Sequence, residues 1–268
     1  NLNTAFTGTK YRFIYINWLP PQFKEILQYQ SKVQLMERKD FLRNSLGFLG
    51  AASIIPVLSN CKKTNDASGT GSGNCTVTDS ETDGPYPLYA SRGSSIQRID
   101  ITDGKTGIPL NMIITIKNVN NNCAVISNAR VDIWHCDKDG YYSGYSNSGY
   151  LGTQNNSSLV FCRGLQYSDA AGQVKFVSIY PGWYTGRVTH IHAQVYVNNA
   201  LKLTTQIAFP EDINTTVYNT SLYSAHGQNS TKNSTDNIIR DSLSNELATV
   251  TANASGGYDL VHTIYVAA

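Results

Sequence analysis

Charged side chains are scarce in this sequence: Asp, Glu, Lys and Arg together make up 15% of its 268 residues, and the net charge is only +2. The sequence therefore lacks the basic surplus with which proteins bind phosphate backbones, and no nucleic-acid partner is expected. The residue types that are plentiful instead are Asn, Ser, Thr, Gly and Tyr, with 17 tyrosines in all. Such a composition favours strands and polar loops over charged helices.

Closely spaced cysteines and long apolar runs are missing as well. None of the five cysteines lies in a Cys-x-x-Cys pair, so neither a zinc ribbon nor a thioredoxin-type site is supported. The apolar stretch 46–58 has 13 residues, which is too few to cross a bilayer as a helix, since that needs ~20. Its length instead suits the apolar region of an export signal.

Residues 36–61 have the organisation of a bacterial export signal. The basic segment 38–43 precedes the apolar stretch, and the sequence from Leu58 to Cys61 (Leu-Ser-Asn-Cys) resembles a lipobox, in which the cysteine is lipidated and becomes the mature first residue. A buried core helix is the alternative, which Pro56 disfavours. The basic segment also resembles a relaxed twin-arginine signal, so general secretory export and twin-arginine export both stay open.

These features divide the chain into four parts. Residues 1–35 are expected to be an upstream segment that is absent from the mature protein, and residues 36–60 a lipoprotein-type signal peptide. Residues 61–82, rich in Ser, Thr, Gly and Asn, are expected to form a flexible tether. Residues 83–268 then form the folded domain. The mature protein is expected to be exported and held at the bacterial cell envelope by a lipid anchor at Cys61.

The folded domain has the pattern of an all-β protein. Short alternating segments are separated by turn residues, and no long stretch has helical periodicity with proper caps. Glu211–Tyr218 predicts one short helical turn. We expect a β-sandwich core of mixed or antiparallel strands with long loops and little helix. The predicted strands are Ile96–Ile101, Asn111–Lys117, Ala129–His135, Gln173–Tyr180, His190–Val197, Leu201–Ala208, Leu247–Ala252 and Tyr258–Val266.

Four cysteines remain after Cys61, and they allow three complete pairings. A disulfide between Cys75 and Cys123 is favoured because it would fasten the first segment of the domain. Cys136 and Cys162 can equally be buried thiols. A domain of roughly 185 residues buries ~70% of its unfolded surface, so it does not need a disulfide in order to fold.

Side chains that can bind a metal or take part in catalysis are most concentrated in residues 180–192. His190 and His192 stand two apart at the start of a predicted strand, so their side chains point to the same face and can share one metal ion. A proline and two glycines around the preceding residues leave Tyr184 and Arg187 on a loop beside the same spot. A His-x-His pair alone is more often a pair of half-buried strand residues, and it is these neighbours that favour a metal site.

A second motif precedes the first. Trp134-His135-Cys136-Asp137 ends a predicted strand, a glycine turn follows, and Tyr142 lies just past it, while Asp83-Gly84-Pro85-Tyr86 opens the domain. Together with residues 180–192, these segments resemble the intradiol ring-cleavage dioxygenases, the protocatechuate and catechol dioxygenase family, over about residues 83–266. The residues that match the family's iron ligands are Tyr142, Tyr184, His190 and His192, and those that match its arginine and glutamine are Arg187 and Gln206.

The resemblance implies a mononuclear Fe(III) cofactor and cleavage of a catechol-type ring by O2 to a muconate-type dicarboxylic acid. Phenolates suit Fe(III) because a hard cation favours anionic oxygen and lowers the tyrosine pKa from its usual ~10. A ferrous 2-His-1-carboxylate site is disfavoured because no acidic residue lies between residues 169 and 211. The resemblance also implies that Tyr184 leaves the metal and accepts a proton, that Arg187 stabilises negative charge on the ring, and that Gln206 hydrogen-bonds near the iron's oxygen ligands. Residues expected at the substrate pocket are Pro85, Tyr86 and Trp134.

Two alternative functions remain open. One is a non-catalytic sandwich domain for binding or surface display, and the other is a copper or zinc protein that uses only His190 and His192. The other histidines of the domain carry no motif: His135 is expected to be a structural hydrogen-bonding group, and His226 and His262 are expected to be surface or core residues. The sequence leaves open which catechol is the substrate and which oligomeric state the protein has.

Overall fold

The computed structural model describes residues 75–87 and 95–268. The predicted upstream segment, the predicted signal peptide and residues 61–74 of the predicted tether lie outside the described residues. In the part of the chain that is described, no helix is both long enough and apolar enough to cross a membrane.

The described domain is built mainly from strands. It also contains two short α-helices, α1 (Glu211–Tyr218) and α2 (Leu243–Glu246), and a three-residue 3-10 helix (Val119–Asn121). Of these, α1 was expected as a helical turn. The strands are β1 (Pro109–Asn118), β2 (Ala124–Val125), β3 (Arg130–Trp134), β4 (Ser146–Gly149), β5 (Gly152–Asn155), β6 (Arg163–Tyr167), β7 (Gln173–Ile179), β8 (His190–Val197), β9 (Ala200–Ala208), β10 (Thr249–Ala252) and β11 (Tyr258–Val266).

These strands form two main sheets and a separate hairpin. In the first sheet the order is β10-β11-β1, and the other edge of β1 pairs with β7 along most of its length and with β2 at its end. The second sheet has the order β6-β3-β8-β9, and β4 and β5 form the hairpin. β1 and β11 run parallel, whereas the other pairs of named strands are antiparallel. The expected all-β sandwich of mixed and antiparallel strands is therefore confirmed.

A hydrophobic core lies between the two main sheets. On β1, every second side chain from Leu110 to Ile116 is 1% exposed or less, which is the period-2 pattern of a strand with one buried face. These side chains pack in one cluster with Ile133 of β3, Ile191 of β8 and Ile207 of β9. Each fully buried aliphatic side chain of this kind stabilises the fold by ~1.5–3 kcal/mol. The two sheets are therefore held face to face, which makes the second sheet a rigid support.

The outer face of the second sheet carries the two histidines of the His-x-His motif. Because Ile191 and Ala193 point into the core, His190 and His192 point the other way and stand side by side. Both histidines are nevertheless buried, at 2% and 1% exposed. Segments outside the sheet must therefore cover them.

The predicted strand Ile96–Ile101 is not formed. The segment makes only isolated bridges, through Gln97 and Asp100. Its two terminal isoleucines, Ile96 and Ile101, are both buried. In a straight strand, two residues five positions apart would lie on opposite faces. The chain bends between them so that both reach the interior, and this bend prevents a continuous strand.

The hairpin β4–β5 and the strand β6 are elements that the sequence did not predict. The hairpin consists mostly of Ser, Asn, Gly and Gln, which have low strand propensity. β6 forms because it pairs along its whole length with β3. At one end Tyr167 stands opposite Arg130, and at the other end Arg163 stands opposite Trp134. Tertiary pairing rather than local propensity determines these elements.

The segment before residue 83, which was assigned to the tether, packs on the domain in its described part. Cys75 and Cys123 form a disulfide, so the favoured pairing is confirmed, and Cys136 and Cys162 are buried free thiols. The backbone N–H of Thr78 donates to the carbonyl of Tyr265 at 3.0 Å. The described residues 75–82 therefore pack on the folded domain, whereas a flexible tether was expected for them.

Replacing either Cys75 or Cys123 with Ser is expected to lower the free energy of unfolding by ~2–4 kcal/mol, because the disulfide joins residues 48 positions apart and so restricts the unfolded chain. Urea titrations of the two single variants and of the double variant measure this loss. Either substitution breaks the same bond, so the double variant should be about as stable as each single one. Losses that add together would show that the two cysteines act separately.

Candidate metal centre

Four side-chain donor atoms converge on the outer face of the second sheet. Nε2 of His190 lies 3.1 Å from Nε2 of His192. The same nitrogen lies 3.3 Å from the phenol oxygen of Tyr184 and 3.4 Å from that of Tyr142. The histidines belong to β8, whereas Tyr142 follows β3 and Tyr184 lies on the loop between β7 and β8. The structure thus brings together all four residues that the sequence singled out as metal ligands.

Burial favours the neutral form of both histidines, and His190 offers a nitrogen lone pair to the cluster. Nδ1 of His190 lies 2.6 Å from the carbonyl oxygen of Val188, which can only accept, so Nδ1 carries the proton and Nε2 is bare. Burial lowers the pKa of His190 to about 3 and that of His192 well below its usual value, and the charge of Arg187 acts in the same direction on both. Neutral imidazole is the form in which histidine binds metals.

The spacing of the donors fits a metal ion. An ion bound at ~2.1 Å, with angles of about 90–110° between ligands, holds neighbouring ligand atoms roughly 3.0–3.4 Å apart. This is the range observed between His190 and its three neighbours. Among the described residues, no group of three or more His, Cys, Asp or Glu side chains is placed to hold a metal, and it is the phenols that complete the set here. Two phenol oxygens with two imidazole nitrogens are donors that suit Fe(III).

Burial opposes ionisation of both phenols. Burial raises the pKa of Tyr142 well above its usual value and that of Tyr184 to about 12, and the charge of Arg187 acts in the opposite direction on both. A bound cation reverses this balance because it stabilises the phenolate directly. Tyr142 is 1% exposed, whereas Tyr184 is partly exposed. Tyr184 is therefore the more accessible of the two phenols.

Two residues fix the ring of His192. The indole of Trp134 stacks on this imidazole with centroids 5.0 Å apart and planes 4° from parallel, because the two residues stand directly opposite on β3 and β8. Gly84, with φ of +68°, approaches so closely that a Cβ atom there would lie 2.9 Å from Cε1 of His192. Glycine suits both this conformation and this close approach. Trp134 is fully buried. It therefore supports the ring of His192 and does not form an accessible wall of the expected substrate pocket.

The segment that opens the domain covers Tyr142. The ring of Tyr86 lies 4.8 Å from the ring of Tyr142, measured between centroids, and the neighbouring Pro85 is exposed. The buried Arg163 donates from Nη1 to the carbonyl of Tyr86 at 2.9 Å and from Nη2 to the carbonyl of Ser143 at 2.6 Å. This arginine, to which the sequence assigned no role, ties the opening segment to the segment that carries Tyr142.

Arg187 and Gln206 lie together in a network that extends beyond the predicted site. Nη2 of Arg187 donates to Oε1 of Gln206 at 2.5 Å, and Nε2 of Gln206 donates to the carbonyl of Thr82 at 3.0 Å. Gln206 stands directly opposite His192 in the register of β8 and β9. Nε of Arg187 donates to the carboxylate of the fully buried Asp236 at 2.9 Å. The guanidinium is therefore held from two sides.

Asp236 also organises the backbone of the Arg187 loop, and sequence reasoning missed it. The oxygen that binds Arg187 accepts from the backbone N–H of Val188 at 2.9 Å, and the other oxygen accepts from Ile238 and Ile239. Although burial raises the pKa of Asp236, the hydrogen bonds from Val188 and Arg187 bring it below its usual value. In the sequence, an Asp at this position indicates only a turn.

Two histidines outside the cluster have structural roles. The ring nitrogens of His135 lie 2.7 Å from the carbonyl oxygen of Cys136 and 2.8 Å from the hydroxyl of Ser178, so the prediction of a hydrogen-bonded structural group is confirmed. His262 occupies a core-facing position on β11, and burial lowers its pKa to about 4. It is therefore one of the expected core residues.

Known proteins share this fold. A family profile described as dioxygenase matches residues 84–253. The intradiol ring-cleavage dioxygenase from Tetranychus urticae has a similar structure, with a TM-score of 0.64 and 25% sequence identity over 72% of this chain and 95% of that chain. The dioxygenase domain of a dioxygenase carbohydrate-binding protein fusion from Streptomyces sp. SirexAA-E is similar in fold, with a TM-score of 0.52 and 23% identity over 72% of this chain and 99% of that chain. No curated protein sequence matches this chain significantly.

The matched profile covers more than half of the chain, including β3, β8, β9 and the loops that carry the two tyrosines. The chain therefore belongs to the dioxygenase family. Within it, the chain is an intradiol ring-cleavage dioxygenase, in agreement with the resemblance seen in the sequence.

Replacing Asp236 with Asn is expected to lower kcat ~10- to 100-fold, because asparagine loses the charge that holds Arg187 and keeps only one of the two oxygens that accept hydrogen bonds here. Oxygen uptake with catechol measures the effect. The matched control is Asp241→Asn, which removes an exposed carboxylate that also pairs with an arginine, Arg240, and should leave kcat unchanged.

A double variant tests whether Asp236 acts through Arg187. If it does, then adding Asp236→Asn to Arg187→Ala should lower kcat no further than Arg187→Ala alone. A loss in the double variant equal to the product of the two single losses would contradict a positioning role.

Proposed function

We propose that this enzyme cleaves a catechol-type ring with O2 to a muconate-type dicarboxylic acid, with Fe(III) held by Tyr142, Tyr184, His190 and His192. The observation that carries the proposal is the approach of three donor atoms to Nε2 of His190 within 3.1–3.4 Å. The family supports the reaction class, and the mixture of phenols with neutral imidazoles supports Fe(III) as the metal.

When bound, Fe(III) would supply the Lewis acidity and the redox chemistry that ring cleavage by O2 requires. Tyr184, the more accessible phenol, would accept a proton from an incoming catechol hydroxyl at its phenol oxygen. Tyr142 is buried beneath Tyr86 and would stay in place. His190 already holds its proton at Nδ1, on the side away from the cluster, so its Nε2 remains available as a ligand.

Arg187 would stabilise the negative charge that develops on the substrate oxygens. Its side chain is only 13% exposed, and a charge in such a poorly solvated position acts strongly on its neighbours. The carboxylate of Asp236 and the amide of Gln206 hold the guanidinium in one orientation. In this scheme Gln206 positions Arg187 in addition to its expected role near the iron's oxygen ligands.

The colour of the iron-loaded protein tests the proposed ligands. Phenolate coordination to Fe(III) should give a red-brown charge-transfer band, and Tyr184→Phe should shift it. Tyr142→Phe and His190→Ala should reduce the bound iron and lower oxygen uptake with catechol at least ~100-fold. The matched control is Tyr167→Phe, which alters an exposed tyrosine at the end of β6 and should change neither colour nor iron content.

A protein that binds copper or zinc in place of iron would be a different kind of metalloprotein. A colourless protein with full occupancy by copper or zinc and no oxygen uptake with catechol would overturn the proposal. In that case His190 and His192 would bind the metal without the phenols, and both tyrosine variants would keep their metal content.

We also propose that the enzyme is exported and anchored to the bacterial cell envelope through a lipid on Cys61, which lies outside the described residues. The support is the lipobox-like sequence from Leu58 to Cys61 after a basic and an apolar segment. In a bacterial host, the chain from Met36 should sediment with membranes, and Cys61→Ser should release it. Cys75→Ser is the control, because it alters the next cysteine and should leave the protein with the membranes. Release of both variants, or of neither, would contradict anchoring at Cys61.

A further inference from the structure

A cleft of about 440 Å³ lies against Tyr184. One wall consists of the aromatic residues Tyr150, Trp183 and His226, and polar side chains line the rest, namely Asp139, Ser148 and Thr185. Its volume lies in the range of small-molecule sites, roughly 300–1,000 Å³. Tyr184 is the one residue of the donor cluster that also lines this cleft, so the cleft adjoins the cluster.

The aromatic wall is formed by three stacked rings. The ring of His226 lies between the other two, and its centroid is 4.0 Å from that of Tyr150 and 4.0 Å from that of Trp183. The angle between the ring planes is 12° with Tyr150 and 3° with Trp183. The indole N–H of Trp183 donates to the carbonyl of Gly227 at 3.2 Å. The hydroxyl of Tyr150 donates to Asp139 at 2.7 Å. The wall is therefore assembled before any ligand arrives, which lowers the entropy cost of binding.

The hairpin β4–β5 holds Tyr150 in this position. Tyr150 stands at the tip of the hairpin and is 39% exposed. The buried phenol of Tyr141 accepts from the backbone N–H of Leu151 at 2.8 Å and donates to the carbonyl of Gly152 at 2.8 Å. Gly149 packs so tightly on Tyr141 that a Cβ atom there would lie 2.8 Å from the phenol ring. An exposed turn fixed in this way presents a defined surface.

The charges around the cleft match an uncharged ligand. Among the described residues that line it there is one carboxylate, Asp139, and neither lysine nor arginine. Nζ of Lys138 lies 2.7 Å from that carboxylate, so the pair is close to neutral. Burial lowers the pKa of His226, which keeps its ring uncharged near neutral pH. A carboxylate on the ligand would meet no unpaired cation here, whereas hydroxyl groups can bond to the oxygens of Asp139, Ser148 and Thr185.

We propose that this cleft binds the substituent of the substrate, and that the substrate class is a catechol carrying a bulky, uncharged, hydroxylated ring system. This inference rests on the proposed function, since the catechol itself must bind at the donor cluster. The cleft then determines which catechols are preferred.

The test compares two catechols on the iron-loaded enzyme. Catechol carries no substituent, whereas catechin carries an uncharged hydroxylated ring system. The specificity ratio is kcat/KM for catechin divided by kcat/KM for catechol, both from oxygen uptake. Tyr150→Ala removes part of the aromatic wall and Ser148→Trp fills the cleft, and each should lower the ratio at least about tenfold. Tyr167→Ala, at an exposed tyrosine outside the cleft, should leave the ratio within about twofold.

A binding measurement without turnover complements the kinetics. Anaerobic calorimetric titration of the iron-loaded protein with catechin should show affinity lowered at least about tenfold in Ser148→Trp relative to the wild type. Circular dichroism spectra and melting temperatures identify any variant that fails to fold, and the other variant then decides the question.

The outcomes separate this inference from the proposed function. Turnover of catechol with an unchanged specificity ratio and unchanged catechin affinity in the folded cleft variants would overturn the inference alone. Preference of the wild type for a carboxylated catechol, protocatechuate, over catechin would overturn it as well. Absence of turnover with every catechol would overturn the proposed function and this inference with it.

Discussion

Two imidazole nitrogens and two phenol oxygens face one another in a largely buried place, and the rest of the structure has to maintain that contact. Polar groups that are buried without strong partners cost free energy. The four side chains would therefore move apart if the surrounding residues allowed it. The supports are instead rigid. His190 and His192 belong to a strand whose other face is locked in the sandwich core, and Trp134 and Gly84 leave the ring of His192 little freedom.

The loops that supply the tyrosines are held by buried charges bonded to backbone. Arg163 binds the carbonyls of Ser143 and Tyr86, and Asp236 binds the amides of three residues as well as Arg187. Hydrogen bonds to charged groups are stronger than those between neutral groups, and they can fix a loop that has no regular secondary structure. The sheet thus determines the position of the histidines, and these two charged residues determine the path of the chain around them.

The sequence allowed prediction of the features that local pattern determines. Alternation over residues 190–197 predicted β8 and the common face of its histidines, and the resemblance to the intradiol dioxygenases pointed to Tyr142 and Tyr184. Contacts between distant segments could not be predicted from local sequence patterns. Arg187 and Asp236 are 49 residues apart, and Arg163 and Tyr86 are 77 residues apart. The β4–β5 hairpin was missed because its polar, glycine-containing sequence resembles a loop, and the cleft that it borders was missed with it.

The parallel pairing of β1 with β11 joins the beginning of the sandwich to its end. The side chain of Asn118 even bonds to the carbonyl of Ala268, which lies 150 residues further along the chain. Central pairing of such high contact order forms slowly, because a long loop must close before the pairing contributes any stability. During synthesis on the ribosome, β1 must therefore wait for the last strand to emerge before the first sheet can be completed.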